Sequence, residues 1–348
     1  MTATTLLPRA IAPTLEALAP LCPAALVPAE ALHAAIAAAR GLPPIFHWAM
    51  LETRLVGDDR TVDLLAAVID VPGGRERVAA ALADPAESPA LAPLAPILGA
   101  WSSPRGPHLA AIRVVWFEWD APFRRAAPIA FPSVDPRFWA TPGRPHAPLD
   151  PIELALAGHR AAHGLAPPPE PALLRRLVAA LGPAGRLLSA TRLVARGAAP
   201  TRLFVSLPPD AVLPFLDAIE WPGDHALVRR WLPRVVPPWE PAFLQLEIDA
   251  RVLPYLAIEP RQTAGAAAEL RERAATLDAL VDAGLAAPER AAAVLAWLGQ
   301  RPSPADPRVV ERRSFHLKLT LDPARPPAAK AYLGVHGEAA TIASATAA

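Results

Sequence analysis

The stretch SFHLKLTLDPARPPAAKAYLGVHG, residues 314–337, alternates on the way out and again on the way back. Phe315, Leu317, Leu319 and Leu321 share one face of an extended strand, while His316, Lys318, Thr320 and Asp322 share the other. On the return run, Ala331, Leu333 and Val335 stand against Lys330, Tyr332, Gly334 and His336. The intervening Asp-Pro-Ala-Arg-Pro-Pro is turn chemistry, so the whole reads as a hairpin with one apolar and one polar face. This hairpin also holds the only two lysines among 34 Lys+Arg, and one of the two tyrosines.

The same unit, a strand pair followed by an Ala/Leu-rich helical stretch, recurs upstream. PIFHWAMLETRLVGDDRTVDLLAAVID turns at Gly57-Asp58-Asp59 and precedes GGRERVAAALAD; its second run, TVDLLAAVID, could equally be helical. LAAIRVVWFEWDAPFRRAAPIAFPSV precedes DPIELALAGHRAAHG and PALLRRLVAALG. RLLSATRLVARGAAPTRLFVSLP precedes DAVLPFLDAIEW, and AFLQLEIDARVLPYLAIEP precedes AGAAAELRERAATLDALVDAGL. With the opening stretch this makes five pairs, spaced by roughly 55–75 residues, longer than a solenoid repeat.

Ten antiparallel strands interleaved with helices must hide two sheet edges and one face of every helix. Closing the sheet inside a ring of helices does both, so the fold class predicted is α+β: an antiparallel barrel of about ten strands in a helical jacket. An open antiparallel sheet with its polar face in water would give the same alternation. Residues 1–44 are expected to be a helical segment packed on the barrel, 45–336 the barrel domain of five units, and 337–348 a flexible tail. Parity then sends Gln245, Glu247, Asp249, Tyr255, Ala257 and Glu259 of the fourth pair inward. From the third come Arg202, Phe204 and Ser206, with Arg192 as a neighbour. Such a lumen is polar, charged and partly aromatic, unlike one filled for stability alone.

Composition removes several classes of function. The chain is 53% hydrophobic and 19% charged, enough for a sizeable core. Net charge is +1 with no long basic block, which gives nucleic-acid binding no electrostatic support. Cys22 is the single cysteine, so no internal disulfide framework or cysteine-based zinc cluster can form. The N-terminus does not read as a signal sequence and no run approaches the ~18 apolar residues of a membrane span, so a cytoplasmic protein is expected. Arginine in place of lysine, with abundant Ala and Pro, fits a GC-rich bacterial genome.

Five consecutive strand-pair-and-helix units closing into a ten-stranded antiparallel barrel resemble the ABBA, or PT-barrel, prenyltransferases over most of residues 13–336. Lys330-Ala331-Tyr332 resembles the Lys-x-Tyr strand motif with which that family contacts an isoprenoid diphosphate. The resemblance implies a transferase that moves a prenyl group from an isoprenoid diphosphate to an aromatic or peptide side-chain acceptor, in bacterial secondary metabolism or peptide modification. Such chemistry needs cations for the departing diphosphate, aromatic faces for an allylic carbocation, and a group that takes the acceptor's proton. Lys318, Lys330, Arg202 and Arg192 are the candidate cations, with Tyr332 and Tyr255 as hydroxyl donors. Trp48, Trp116, Phe204 and His316 are the candidate walls. Glu52 on the first strand matches the place where indole-type members carry an acceptor-binding glutamate, which makes it the first choice of base; Glu118 and Glu247 are alternatives. The inward acids Glu247, Asp249 and Glu259 would repel a diphosphate unless a divalent metal such as Mg²⁺ sits between.

Other motifs carry less. His159 and His163 in HRAAH stand one helical turn apart but lack a third ligand, so no metal site is assigned. Asp58-Asp59-Arg60 reads as a turn, and PGGRERV starts a helix without the Gly-Lys-Ser/Thr of a phosphate loop. No Gly-x-Ser-x-Gly elbow or Gly-x-Gly-x-x-Gly fingerprint occurs. Trp116 and Trp119 fall on opposite strand faces, so only one can line the lumen. Two other functions remain open from the residues: a non-catalytic barrel that binds a small molecule or peptide for a biosynthetic pathway, and a different enzyme chemistry that uses the inward carboxylates.

Overall fold

The computed structural model describes residues 6–83, 89–103, 112–123, 128–134, 171–192, 200–263, 267–304, 306 and 308–339. Eleven strands occur among them: β1 (Trp48–Arg54), β2 (Val62–Ile69), β3 (Ile112–Trp119), β4 (Ile129–Val134), β5 (Arg186–Arg192), β6 (Thr201–Leu207), β7 (Ala242–Ile248), β8 (Val252–Glu259), β9 (Gly299–Pro302), β10 (Val309–Asp322) and β11 (Arg325–Ala339). Nine α-helices accompany them: α1 (Ile11–Leu18), α2 (Ala29–Ala39), α3 (Gly74–Ala83), α4 (Ala95–Ser102), α5 (Pro171–Ala180), α6 (Val212–Ala218), α7 (His225–Val235), α8 (Ala267–Asp282) and α9 (Pro288–Trp297). None of these helices is long and apolar enough to cross a membrane.

The strand order is β4-β3-β2-β1-β11-β10-β8-β7-β6-β5, antiparallel throughout, and it forms a nearly closed ten-stranded barrel inside the helices. Each expected pair is present, including β2, whose apolar run left helix and strand equally open. The last hairpin anchors the ring: β1 pairs along its whole length with β11, from Trp48 opposite His336 to Arg54 opposite Lys330. At the far seam no ladder joins β4 to β5 among the described residues, but the Thr191 hydroxyl donates to the Ala130 carbonyl.

Local chemistry sets the turns. Asp322 accepts from the Ala324 amide at 3.0 Å, an Asx turn that reverses β10 into β11. Gly57 takes φ +84° between β1 and β2, where the Asp59 carboxylate caps the Thr61 amide and hydroxyl. Pro254 breaks into β8 where the β7–β8 register shifts between Leu246 and Ile248, so no ladder bond is lost there.

The hairpin is longer than its sequence suggests. β11 continues past residue 336 to Ala339, and Leu6 bridges to Glu338, so residues 337–339 belong to the strand rather than to a tail. The short β9 was not foreseen; it covers β10 from Val310 to Arg313, beyond the reach of β8. Helices α1 and α2 of the N-terminal segment pack on the barrel, where the Thr53 hydroxyl reaches the Leu26 carbonyl at 2.8 Å. Residues 150–164, with their His159 and His163, lie outside the described residues, as does the β5–β6 turn.

Alternation holds around the barrel. Phe315, Leu317, Leu319 and Leu321 are buried under the helices with Leu244, Leu246, Leu203 and Val205. Because this face is close-packed and the lumen face is not, Leu319→Ala is expected to cost about 2–5 kcal/mol in urea unfolding, against less than about 1 kcal/mol for the neighbouring Thr320→Ala. Equal costs would mean that the strand faces are assigned the wrong way round.

His47 offers a second check. Its Nδ1 accepts from the Ile69 amide at 3.1 Å, and its buried Nε2 has no partner among the described residues. Burial first, with Arg77 nearby, lowers its pKa from 6.5 to about 4. Between those values the unfolded chain takes up a proton that the folded chain refuses, so stability falls as pH drops through the window. At ~1.4 kcal/mol per pH unit the loss approaches about 3 kcal/mol. His47→Gln should flatten the dependence of the urea midpoint on pH between 6.5 and 4; an unchanged slope would assign it to other groups.

Candidate functional site

A two-residue period delivers one side chain from each strand to each level of the lumen, and the ladders say which side chains share a level. Trp48 lies opposite His336, Met50 opposite Gly334, Glu52 opposite Tyr332 and Arg54 opposite Lys330. Across β10, Ser314 faces Gly334, His316 faces Tyr332 and Lys318 faces Lys330. Moving along β1 and the last hairpin, side chains therefore pass from aromatic to charged. The lumen follows the same gradient as two chambers, which share Glu118, Arg202 and Lys318 in their walls.

The charged chamber encloses about 540 Å³. Its floor pairs cations with acids. The Lys330 ammonium donates to Glu52, which is almost wholly buried. Burial alone would raise the Glu52 pKa, but Lys330, Lys318 and the Tyr332 hydroxyl together hold it down to about 2. Lys330 responds in kind, its pKa raised by Glu52 against the pull of burial. Arg202 pairs with Glu247 at 2.5 Å, and its guanidinium lies 4.7 Å over the Tyr255 ring. The Arg202 Nε has no partner among the described residues and is buried. Lys318 donates to Gln245 at 2.8 Å and to the Tyr332 hydroxyl at 3.3 Å, and stands 3.8 Å from Glu259.

One corner of this chamber is acidic. Ligand oxygens of Glu52, Asp63 and Glu118 all lie within 4.8 Å of one another. Burial, with Glu52 and Glu118 adding repulsion, pushes the Asp63 carboxyl up to about 6. Three hard oxygen donors at that spacing suit Mg²⁺ or a similar divalent cation.

The aromatic chamber encloses about 720 Å³. Trp48 stacks on His336 at 4.3 Å and meets Trp116 edge-on at 6.2 Å; Phe204 stacks on Phe243 at 5.8 Å. Met50, Leu65 and Tyr332 form a small apolar cluster in the wall of this chamber, with Trp48 and Trp116 packed on it. Tyr332 keeps its proton, since burial and the surrounding carboxylates raise its pKa well above 10. Gly334 leaves this wall open: a methyl group there would sit 3.0 Å from the Ser314 hydroxyl and 3.4 Å from the Met50 methyl.

The candidates from sequence divide between the two chambers. Lys330, Glu52 and Tyr255 line the charged one; Trp48, Trp116, Phe204, His316 and Tyr332 line the aromatic one; Lys318, Arg202 and Glu118 line both. Trp116 takes the lumen side, and Trp119 packs in the outer core. Glu247 lines neither chamber and is engaged by Arg202. Arg192 sits on β5 opposite Thr201, with its side chain outside the described residues. Glu52 does not face the aromatic chamber, and its low pKa and fixed partners suit an anchor for Lys330 better than a proton acceptor.

Strand parity also carries Met50 of β1 and Phe243 of β7 into the lumen, where only their place in the strand marks them. Asp63 escaped because the helical alternative for β2 hid its parity. Arg261 and Gln262 also line the aromatic chamber, but they follow β8 outside any strand and so leave no periodic signal. No family model matches the chain, and no curated protein matches it.

The Lys330–Glu52 pair can be weighed directly. Lys330→Met removes the cation from a carboxylate that is 3% exposed, and is expected to cost about 3 kcal/mol. Adding Glu52→Gln should restore most of that loss in urea unfolding. A neutral Lys330→Met would show that water, not Lys330, solvates Glu52.

Proposed function

We propose that the protein is a cytoplasmic transferase that moves a prenyl group from an isoprenoid diphosphate to an aromatic or peptide side-chain acceptor within the lumen. The observation that carries this reading is the division of the lumen: a chamber with deep cations adjoins, across Glu118, Arg202 and Lys318, one walled by Trp48, Trp116, Phe204 and Phe243. An allylic diphosphate has the same two parts. Its charged end needs cations in a water-poor site, and the carbocation left when the C–O bond breaks needs aromatic faces and exclusion of water.

In this reading the diphosphate lies against Lys318, Lys330 and Arg202, with Tyr255 and Tyr332 as hydroxyl donors. The prenyl chain points toward Met50 and Leu65, and the acceptor enters past Trp48 and Phe204. Every deep cation already has a polar partner, so the acids must be offset when a diphosphate arrives. Glu52, Asp63 and Glu118 would hold Mg²⁺, which supplies the positive charge that their carboxylates otherwise cancel.

The same pairing favours a second reading. Because Glu52, Glu247 and Glu259 already satisfy Lys330, Arg202 and Lys318, the lumen is consistent with a barrel that only binds a small molecule or peptide.

Calorimetric titration with dimethylallyl and geranyl diphosphate, with and without Mg²⁺, separates the two. Wild-type protein is expected to bind at micromolar concentration. Lys318→Ala/Lys330→Ala with Glu52→Gln, added so that no carboxylate is left unpaired, should bind at least tenfold more weakly. No binding by wild type under either condition would overturn prenyl transfer and leave the binding barrel.

A further inference from the structure

We infer that His316 is the proton acceptor of the aromatic chamber, with Glu259 as its positioning residue, and that the acceptor is a neutral aromatic bearing a ring N–H or a phenolic O–H. The reaction assigned to it rests on the prenyl-transfer reading above; the placement of the imidazole does not.

His316 on β10 and Glu259 on β8 both line the aromatic chamber, and His316 Nε2 lies 2.6 Å from Glu259 Oε2. Glu259 cannot easily turn away, because its other oxygen accepts from the Gln245 amide of β7 at 2.6 Å, with the Lys318 ammonium of β10 at 3.8 Å. A carboxylate held in this way accepts a hydrogen bond, so the neutral ring carries its proton on Nε2 and leaves the Nδ1 lone pair free. Among the described residues Nδ1 makes no hydrogen bond, nor do they seal it from the cavity. The ring stands 5.6 Å from Tyr332 of β11, at the boundary between aromatic and charged walls. Glu52 faces the other chamber with Lys330 and Tyr332 already upon it. His316 thus combines a basic lone pair with access to an aromatic guest.

The transfer balances as follows. The bond from the prenyl carbon to the diphosphate oxygen breaks with its electron pair on the departing diphosphate. A ring carbon or heteroatom of the acceptor supplies the pair for the new bond. The proton that the acceptor sheds goes to Nδ1, and the imidazolium so formed is neutralised by Glu259. A guest that hydrogen-bonds to Nδ1 must donate, which excludes its N- or O-methylated counterpart.

Two measurements test this on the full chain. Long-range ¹H–¹⁵N spectra of protein labelled on histidine, with the His316 signals assigned by His316→Phe, should show the neutral ring protonated on Nε2. A ring protonated on Nδ1 would overturn the assignment without any ligand. Calorimetry should find indole bound at least fivefold more tightly than 1-methylindole by wild type. That preference should vanish in His316→Phe and weaken in Glu259→Gln. Equal binding by wild type, a preference that survives His316→Phe, or no binding of either compound would each overturn the inference. Geranyl diphosphate titrated into the same samples keeps the two readings apart. An intact indole preference without diphosphate binding would sink prenyl transfer alone, and the reverse result would sink only the role of His316.

Discussion

A charged side chain that points into this barrel has little water to solvate it and must be neutralised by another that points in from a different strand. That constraint organises the lumen. Lys330 of β11 is answered by Glu52 of β1, Arg202 of β6 by Glu247 of β7, and Lys318 of β10 by Gln245 of β7 and Glu259 of β8. Buried pairs of this kind add little net stability, because desolvation offsets most of the attraction. A barrel built for stability would fill the same positions with aliphatic side chains. Retaining them makes sense where a ligand can use the charges, either by displacing one member of a pair or by adding a counter-ion.

The separation of the chambers follows from the same ladders. In β1, β10 and β11 the inward side chains change from aromatic or small to ionic over three levels, and the registers align those changes at one height. Tyr332 sits at the crossing. Its ring joins Met50 and Leu65, its hydroxyl accepts from Lys318 and bonds Glu52, and its raised pKa keeps it a donor. A molecule lying along the barrel axis would meet ions at one end and rings at the other. The fold can present that polarity only if all five hairpins hold their register, so the helical jacket serves the site by holding the strands from their outer face.

Much of this was legible in the sequence because alternation is a property of neighbouring residues. The face of Lys318, Glu247 or Phe204 follows from parity as soon as its strand is recognised. Which strands neighbour one another does not follow from parity. Lys330 meets Glu52, 278 residues away, because the chain closes on its first strand. Asp63 was invisible for a different reason: VDLLAAVI is apolar enough on both faces to suit a helix, and only pairing with β1 and β3 settles it. The His316–Glu259 contact needed the β8–β10 ladder, which spans just three residue pairs and carries no mark in either strand.

Closure on the first strand also accounts for lysine in a chain that otherwise uses arginine. Lys318 and Lys330 are directly opposite in the β10–β11 ladder, where like charges repel. The repulsion is relieved because each ammonium leans away from its neighbour, one toward β1 and the other toward β7 and β8. A compact charge on a flexible stem can make that turn. A guanidinium is broader, needs several acceptors in its plane, and would bring two forks into the same gap. The two lysines therefore fit a place where cations must stand side by side yet answer to opposite walls, and the space between them is where an anion would relieve the repulsion further.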